Sequence, residues 1–220
     1  KSIDIDPNNS DAYNNIALVY HNSLEDYQKA IEYYKKAFEL EEDPLYLSNI
    51  GKDFAYSLDN YDSGLYYFNK AVNLFPDEKK SYTDRGYFYD YYEDYESAIG
   101  DYTNAIELDD EDGELYFDRA DAYYELEMYE DALRDYFKSI DIDPNNSDAY
   151  NNIAVVYNSF LEDHQKAIEY YKKAFELEED LLYLSNIGRT FSNNLDNYDS
   201  GLYYYNKGVD LFPEDKESYN

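Results

Sequence analysis

Few residues in this chain could carry out catalytic chemistry. Its two histidines, His21 and His164, lie far apart, and no cysteine is present to act as a nucleophile, a thiolate metal ligand or a disulfide partner. His164 stands where a repeated segment of the chain has Tyr27, so we expect it to pack between helices, whereas His21 is expected to make surface contacts. No catalytic residue is predicted, and the sequence is not expected to encode an enzyme.

An acidic run at 109–114 has the composition of a calcium-binding loop. With Gly113 at the sixth position of an EF-hand loop, Leu108 would be the first ligand and Arg119 the twelfth, and neither can supply a carboxylate. We interpret the run as a charged turn between helices. No metal and no other cofactor are predicted.

The balance of charges limits the class of partner. The chain carries 50 acidic and 18 basic residues, a formal net charge of −32, which repels nucleic acid and anionic membranes and favours a basic or neutral partner. The alternative is that the acidity serves mainly solubility. No apolar run is long enough for a membrane span, and no signal peptide is visible. These observations leave the compartment open, with the cytoplasm slightly favoured.

The elements that must position any functional residue are repeated. Residues 1–82 return at 138–219 with 65 of 82 positions identical, and a shorter period of 34 or 35 residues lies within this copy. A period of this length indicates a solenoid, in which each unit buries its apolar face against its neighbours. We predict one array over 1–220, with partial units at 1–9 and 216–220. Its six full repeats are predicted at 10–43, 44–78, 79–112, 113–146, 147–180 and 181–215.

Each repeat has the pattern of two helices. In the first, Tyr13, Ile16, Ala17 and Tyr20 mark one apolar face, and a second helical stripe begins at Tyr27 after a short polar stretch. The sequence therefore predicts an all-α fold of antiparallel helix pairs, a helix A followed by a helix B. Small residues recur where these helices must approach closely.

The repeat resembles a known family. The residues that carry the resemblance are Tyr13-x-x-Ile16-Ala17-x-x-Tyr20 and Ala30-x-x-x-Tyr34-x-x-Ala37, which are similar to the tetratricopeptide repeat. Arg85 and Arg119 depart from the pattern, because they replace the usual apolar residue. The resemblance implies a right-handed superhelical α-solenoid whose A helices line a concave groove that holds partner segments.

The resemblance also indicates which residues would face the groove. One position of helix A is occupied by an amide or a carboxylate in all six repeats: Asn15, Asn49, Asp84, Asp118, Asn152 and Asn186. An amide both donates and accepts hydrogen bonds, so such a ladder can pair with the backbone of an extended peptide of any sequence. The alternative is that these side chains only cap or solvate the helices.

The internal copy separates constant from variable groove positions. The ladder is identical in the two copies, whereas three positions beside it differ, as at Leu18 and Val155, Lys52 and Arg189, and Tyr56 and Asn193. We interpret the constant stripe as contacting peptide backbone and the variable stripe as contacting side chains. Uneven drift after a duplication would produce the same pattern.

Repeats 3 and 4 place aromatic residues beside carboxylates. The residues are Tyr87, Asp90, Tyr91, Phe117, Asp118, Asp121 and Tyr124. Aromatic faces next to carboxylates suit Lys or Arg side chains, and aromatic anchors often dominate binding energy. Exposed tyrosines are also expected by composition, since the chain contains 32.

We predict a protein-interaction scaffold that binds an extended, basic or neutral peptide. Two alternatives remain open: a structural array that self-associates end to end, and the targeting arm of an enzyme encoded elsewhere in a longer chain. Neither nucleic acid nor membrane insertion is expected.

Overall fold

The computed structural model describes residues 8–213, and the chain divides into two compact units, 1–110 and 111–220. The described part of the first unit contains three helix pairs. Their helices are α1 (Ser10–Asn22) and α2 (Tyr27–Leu40), α3 (Pro44–Lys52) and α4 (Tyr61–Leu74), and α5 (Lys79–Tyr91) and α6 (Tyr95–Leu108). A π-helical turn, Asp53–Ser57, continues α3.

The second unit repeats this arrangement. Its helices are α7 (Gly113–Glu125) and α8 (Tyr129–Ile142), α9 (Ser147–Ser159) and α10 (His164–Leu177), and α11 (Leu181–Arg189) and α12 (Tyr198–Leu211). A π-helical turn, Thr190–Asn194, continues α11. In both units the first helix of each pair is a helix A and the second a helix B. No strand occurs between residues 8 and 213.

Most helices begin at a side chain that caps them. Ten of the twelve described helices follow an Asn or Asp whose side-chain oxygen accepts a hydrogen bond from a backbone N–H of the first turn, as Asp26 does from Lys29. Such a cap stabilises a helix by about 1 kcal/mol. Part of the acidic composition therefore serves the helix ends.

The turn between helix A and helix B has one unusual residue in every pair. Six acidic residues have φ between 49° and 60°: Glu25, Asp59, Glu93, Glu127, Glu162 and Asp196. This left-handed conformation costs a residue with a Cβ about 1–2 kcal/mol, and glycine avoids most of that cost. The tight reversal is thus formed without a glycine in any of the six turns.

The π-helical turns accommodate one extra residue. The starts of α3 and α4 are 17 residues apart, as are those of α11 and α12, whereas α5 and α6 start 16 residues apart. An inserted residue inside a helix is commonly absorbed as one wide turn. In the pair α1–α2, with the same spacing of 17, the polar turn between the helices takes up the extra residue.

The cores lie where a helix pair meets the next helix A. In the first unit, Ala30, Ile31 and Tyr34 of α2 bury their side chains against Ala17 of α1 and Ile50 of α3. The corresponding residues of α9, α10 and α11 form a matching core in the second unit. Each pair buries its apolar face against its neighbour, as a solenoid requires.

Close approach explains the small residues of the pattern. A Cβ added to Gly64 would lie 2.8 Å from the Ala55 Cβ and 3.2 Å from the Ala55 Cα, so α4 can pack against the π-helical turn only with glycine at that position. Gly100 of α6 is different, because a Cβ added there would meet no atom within 4 Å.

The predicted all-α fold of antiparallel helix pairs is confirmed in each unit. The single array over 1–220 and its right-handed superhelix stay predictions. Of the two partial units, residues 1–7 and 216–220 lie outside the described residues.

Candidate functional site: the helix A surfaces

The ladder of the second unit is connected by hydrogen bonds. Asn152 Nδ2 donates to Asp121 Oδ1 over 2.9 Å, and Asn151 Nδ2 donates to Asn152 Oδ1 over 3.1 Å. Asn186 Nδ2 donates to Asn151 Oδ1 over 3.3 Å, and Arg189 donates to Asn186 Oδ1 over 3.2 Å. The chain of bonds joins α7, α9 and α11, so these amides already satisfy part of their hydrogen-bonding capacity.

The two amides in the ladder of the first unit are open. Asn15 is exposed and Asn49 is half-buried, and neither side chain forms a hydrogen bond within residues 8–213. Asn14, the counterpart of Asn151, has its Oδ1 buried without a hydrogen-bond partner in the same part of the chain. The first unit therefore offers unsatisfied amides where the second has bonded ones.

Asp84 occupies the ladder position of α5 but is 2% exposed. Its carboxylate accepts hydrogen bonds from Ser48 Oγ at 2.5 Å and Lys80 Nζ at 3.2 Å, and Lys52 Nζ lies 2.8 Å away. This carboxylate therefore joins α3 to α5 and fixes Lys52, rather than lying open to solvent.

Tyrosines cluster beside this network, at the carboxyl end of α5. The Tyr56 and Tyr91 ring centroids lie 4.8 Å apart, and Tyr91 is 61% exposed. Tyr92 packs against Tyr91 at 5.0 Å and donates a hydrogen bond to the carbonyl of Ala55. Burial raises the pKa of Tyr56, with a further contribution from the nearby Asp84 and Asp90 carboxylates. We call Tyr56, Tyr91 and the half-buried Asp90 the tyrosine cluster.

Tyr87, the remaining predicted aromatic residue of α5, turns towards α6. Its ring packs edge-on against the buried Tyr102, with centroids 5.8 Å apart. It is half-buried and contributes to the pair α5–α6 as well as to the surface.

The aromatic residues predicted on α7 lie mainly in packing contacts of the second unit. Phe117 packs against Tyr136 at 5.8 Å, and Tyr124 packs against Phe160 at the same distance. Tyr136 donates a hydrogen bond to Asp121 Oδ1 over 2.5 Å, and burial followed by the Asp121 charge raises its pKa. Asp118 is half-buried.

Two residues of the variable stripe also contribute to packing. Leu18 and Val155 are half-buried and pack against the cores around Tyr34 and Tyr171, respectively. Arg189 is exposed. The aliphatic exchange between the copies therefore affects the core as well as the surface.

The pair His21 and Asp53 was not expected. His21 Nδ1 lies 2.6 Å from Asp53 Oδ1, and the other carboxylate oxygen is buried without a partner within residues 8–213. Burial raises the pKa of Asp53, although the bond to His21 opposes the change. In the copy both residues differ: Asn158 replaces His21, and Thr190 replaces Asp53. Many other positions also differ between the copies, so the sequence carries no specific signal that these two residues touch.

The two arginines that depart from the family pattern form buried ion pairs. Arg85 Nε and Nη2 each donate to Asp101 over 2.7 Å, and Arg119 donates to Asp135 over 2.6 Å and 3.1 Å. Both aspartates are 2% exposed. The other four repeats have Ile and Tyr at these two positions, so the repeats themselves carried the signal for this contact.

Among residues 8–213, no cluster of three or more His, Asp or Glu side chains is arranged to hold a metal ion. Within the same range, every helix is too short or too polar to cross a membrane.

The comparisons agree with the fold. A tetratricopeptide-repeat model matches residues 10–44 and 147–181, a second TPR model matches 120–158, and a Sel1-repeat model matches 56–74. A search of curated proteins finds no match.

Several solved structures share the fold. MamA is 22% identical with a TM-score of 0.70, over 77% of this chain and 98% of MamA. The pilF protein of Pseudomonas aeruginosa is 16% identical with a TM-score of 0.73, over 93% and 92%. YrrB, described as a TPR protein with an unusual peptide-binding site, is 23% identical with a TM-score of 0.64, over 83% and 93%. These structures show the fold, whereas the matched repeat models, with the repeated helix pairs, identify the chain as a member of the tetratricopeptide-repeat family.

Proposed function

We propose that the chain is a non-enzymatic scaffold that binds an extended, basic or neutral peptide on its helix A surfaces. The open amides of the first unit, together with the tyrosine cluster of the same unit, carry this proposal. Repeat proteins of this family mediate protein–protein interactions, and a peptide-binding site is named for the structurally similar YrrB.

The open ladder would pair with peptide backbone. Asn15 and Asn49 each offer two N–H donors and one carbonyl acceptor that no other described residue uses. An extended peptide presents a carbonyl and an N–H at every residue, so it can satisfy both amides whatever its sequence. Each net hydrogen bond would contribute about 0.5–1.5 kcal/mol.

The tyrosine cluster would hold a Lys or Arg side chain of the same peptide. Tyr91 exposes its ring, Tyr56 packs edge-on against it, and Asp90 adds a negative charge beside them. A cation over a tyrosine ring gains about 0.5–1 kcal/mol at exposed sites and about 2 kcal/mol when it is desolvated. This cluster therefore gives the surface its preference for basic residues.

The second unit would bind more weakly by the same mechanism. Its amides must exchange the bonds along Asp121, Asn152, Asn151 and Asn186 for bonds to the peptide, so the net gain per amide is smaller. We therefore expect Asn49→Ala to reduce binding more than Asn186→Ala.

A peptide-display selection at low and high salt tests the proposal. Extended peptides with Lys or Arg should be enriched, and high salt should weaken their binding because it screens the attraction. Binding of a selected peptide should then fall about fivefold in Asn49→Ala and in Tyr91→Ala, as expected for a loss of about 1 kcal/mol each.

Asn104→Ala is the matched control. Asn104 is an exposed residue on α6, a helix B, and its side-chain amide forms no hydrogen bond within the described part of the chain. If no peptide is enriched, or if Asn49→Ala and Asn186→Ala both bind as the unaltered chain does, the proposal is wrong. Sedimentation at two concentrations would then test end-to-end self-association.

A further inference from the structure

A pocket of about 410 Å³ lies away from the helix A surface, between the two B helices α10 and α12 of the second unit. Its floor is formed by the buried Leu184 and Ile187 of α11. Phe175 of α10 and Tyr204 of α12 form aromatic walls. The Tyr204 ring also stacks on Phe191 of the π-helical turn, with centroids 5.6 Å apart, and this contact holds the ring in place.

Two lysines line this pocket, and each contacts an aromatic ring of the opposite helix. Lys207 Nζ of α12 lies 4.5 Å from the Phe175 ring centroid, and Lys172 Nζ of α10 lies 5.8 Å from the Tyr204 ring centroid. Each ammonium group thus covers the aromatic residue of the opposite helix. Within residues 8–213 neither lysine forms an ion pair, although acidic residues outnumber basic ones by 50 to 18 in the chain.

The same arrangement occurs in the first unit. Lys70 Nζ lies 4.6 Å from the Phe38 ring, Lys35 Nζ lies 5.5 Å from the Tyr67 ring, and Tyr67 stacks on Phe54 at 5.6 Å. All eight lining residues of the pocket are identical in the two copies. The chain therefore carries this constellation twice, once in each unit.

Two carboxylates line the pocket together with the two lysines. Glu176 lies near the carboxyl end of α10, one turn after Lys172, and Glu179 lies beyond the end of that helix. Because neither lysine forms an ion pair within residues 8–213, an occupant meets two ammonium donors, two carboxylate acceptors and an apolar floor. Peptide backbone supplies N–H donors for the glutamates, which a simple carboxylate anion does not.

We propose that this pocket, and the matching side chains of the first unit, each form a docking site for a short acidic segment of a partner polypeptide. The segment presents a large apolar side chain to the floor and an adjacent carboxylate to the two lysines, and its backbone N–H groups bond the glutamates. This site is independent of the proposed helix A surface, which takes basic or neutral peptides.

The energetics favour an anion with an apolar body. A carboxylate between two ammonium groups forms charge-assisted hydrogen bonds, which are about twice as strong as neutral ones. The apolar side chain removes the floor from water and gains about 25 cal/mol for each Å² buried. A neutral peptide of the same shape retains only this second contribution.

Three blocked dipeptides test the proposal by NMR titration of the whole chain, with isotope-labelled phenylalanine side chains of the protein as reporters. Acetyl-Phe-Glu-amide should perturb Phe38 in the first unit and Phe175 in the second. Acetyl-Phe-Gln-amide should bind at least about fivefold more weakly, a difference of about 1 kcal/mol, and acetyl-Phe-Lys-amide weaker still.

The two copies provide matched variants. Lys172→Gln with Lys207→Gln should abolish perturbation of the second pocket and leave the first unchanged, and Lys35→Gln with Lys70→Gln should do the reverse. Asn49→Ala should affect neither pocket, so this test is separate from that of the helix A surface. Equal binding of the three dipeptides, or unchanged perturbations in the four-lysine variant, would overturn the proposal.

Discussion

The buried ion pair of α5 and α6 gives the sharpest test of how these repeats are held together. Repeat 3 has Arg85 and Asp101 where repeat 1 has Ile16 and Tyr33. The chain therefore supplies its own apolar substitute for the pair. We predict that Arg85→Ile destabilises the chain, and that adding Asp101→Tyr restores the stability.

The magnitude follows from the burial of the two partners. Arg85→Ile leaves the Asp101 side chain, 3% exposed, without the two 2.7 Å hydrogen bonds that compensate its charge. Removing one partner of a buried pair costs about 3–5 kcal/mol, whereas a well-packed apolar replacement of both is often neutral. Asp101→Tyr alone should cost less than Arg85→Ile alone, because Arg85 is 18% exposed and also donates to Asn69 Oδ1 over 2.8 Å.

Urea unfolding of the four chains, followed by circular dichroism, forms a double-mutant cycle. Hydrogen exchange of the α5 and α6 amides shows whether the change is local to the pair, which matters because repeat arrays can open in parts. A loss below about 1 kcal/mol in Arg85→Ile would mean that the pair behaves like an exposed ion pair. A double variant as unstable as the single one would refute the reasoning that Ile and Tyr fit this position.

Three further predictions concern single positions. Gly100→Ala should raise the free energy of unfolding by about 1 kcal/mol, because a helical glycine gains a Cβ in open space. Gly64→Ala should lower the free energy of unfolding, because its Cβ would lie 2.8 Å from the Ala55 Cβ. Thermal melts of the two variants test both expectations. Glu93→Gly should stabilise the chain by up to about 1 kcal/mol because φ is 60° at this position, and a lower melting temperature would count against the assigned turn. Burial raises the pKa of Asp53 above its unfolded value of about 3.9. The protonated carboxyl therefore favours the folded state at low pH, and this contribution is lost as pH rises through the folded pKa. Asp53→Thr should therefore stabilise the chain by about 1–2 kcal/mol at pH 7 and by less at pH 4, and equal gains in urea unfolding at both pH values would contradict this account.

The helix pairs could be predicted because their signal is repeated. The apolar stripe that begins at Tyr13 recurs in all six repeats, so one atypical repeat does not change the prediction. The structure has helices that start at Ser10 and Tyr27, on either side of the expected polar turn. The π-helical turns were not predicted. Their signal is a spacing of 13 residues from Gly51 to Gly64 against 12 from Gly86 to Ala98, and spacing alone does not show whether a helix or a turn takes up the extra residue.

The candidate site was predicted less completely, because position on a helix does not determine a side chain's partners. Asp84 and Asn49 share one register position, yet one is buried in a network and the other has no partner among the described residues. The difference arises from neighbours on adjacent helices, because Ser48 and Lys52 of α3 both contact the Asp84 carboxylate of α5. The pocket over Ile187 was missed for the same reason: it requires two B helices, and the residues of one helix do not indicate it.

The two ion pairs also bear on how nearly identical repeats find their own partners during folding. Helices α2 and α10 have the same sequence apart from Tyr27 and His164, so a helix A from the wrong repeat could dock on either with little loss of apolar contact. Helix α5 cannot, because α2 and α10 offer Tyr33 and Tyr170 where Arg85 requires a carboxylate. A misplaced α5 would bury an uncompensated guanidinium, at a cost of several kcal/mol. Repeats 3 and 4 therefore differ from the copied repeats on either side of them. This difference disfavours docking of their A helices on the wrong helix B during folding, a failure typical of repeat proteins.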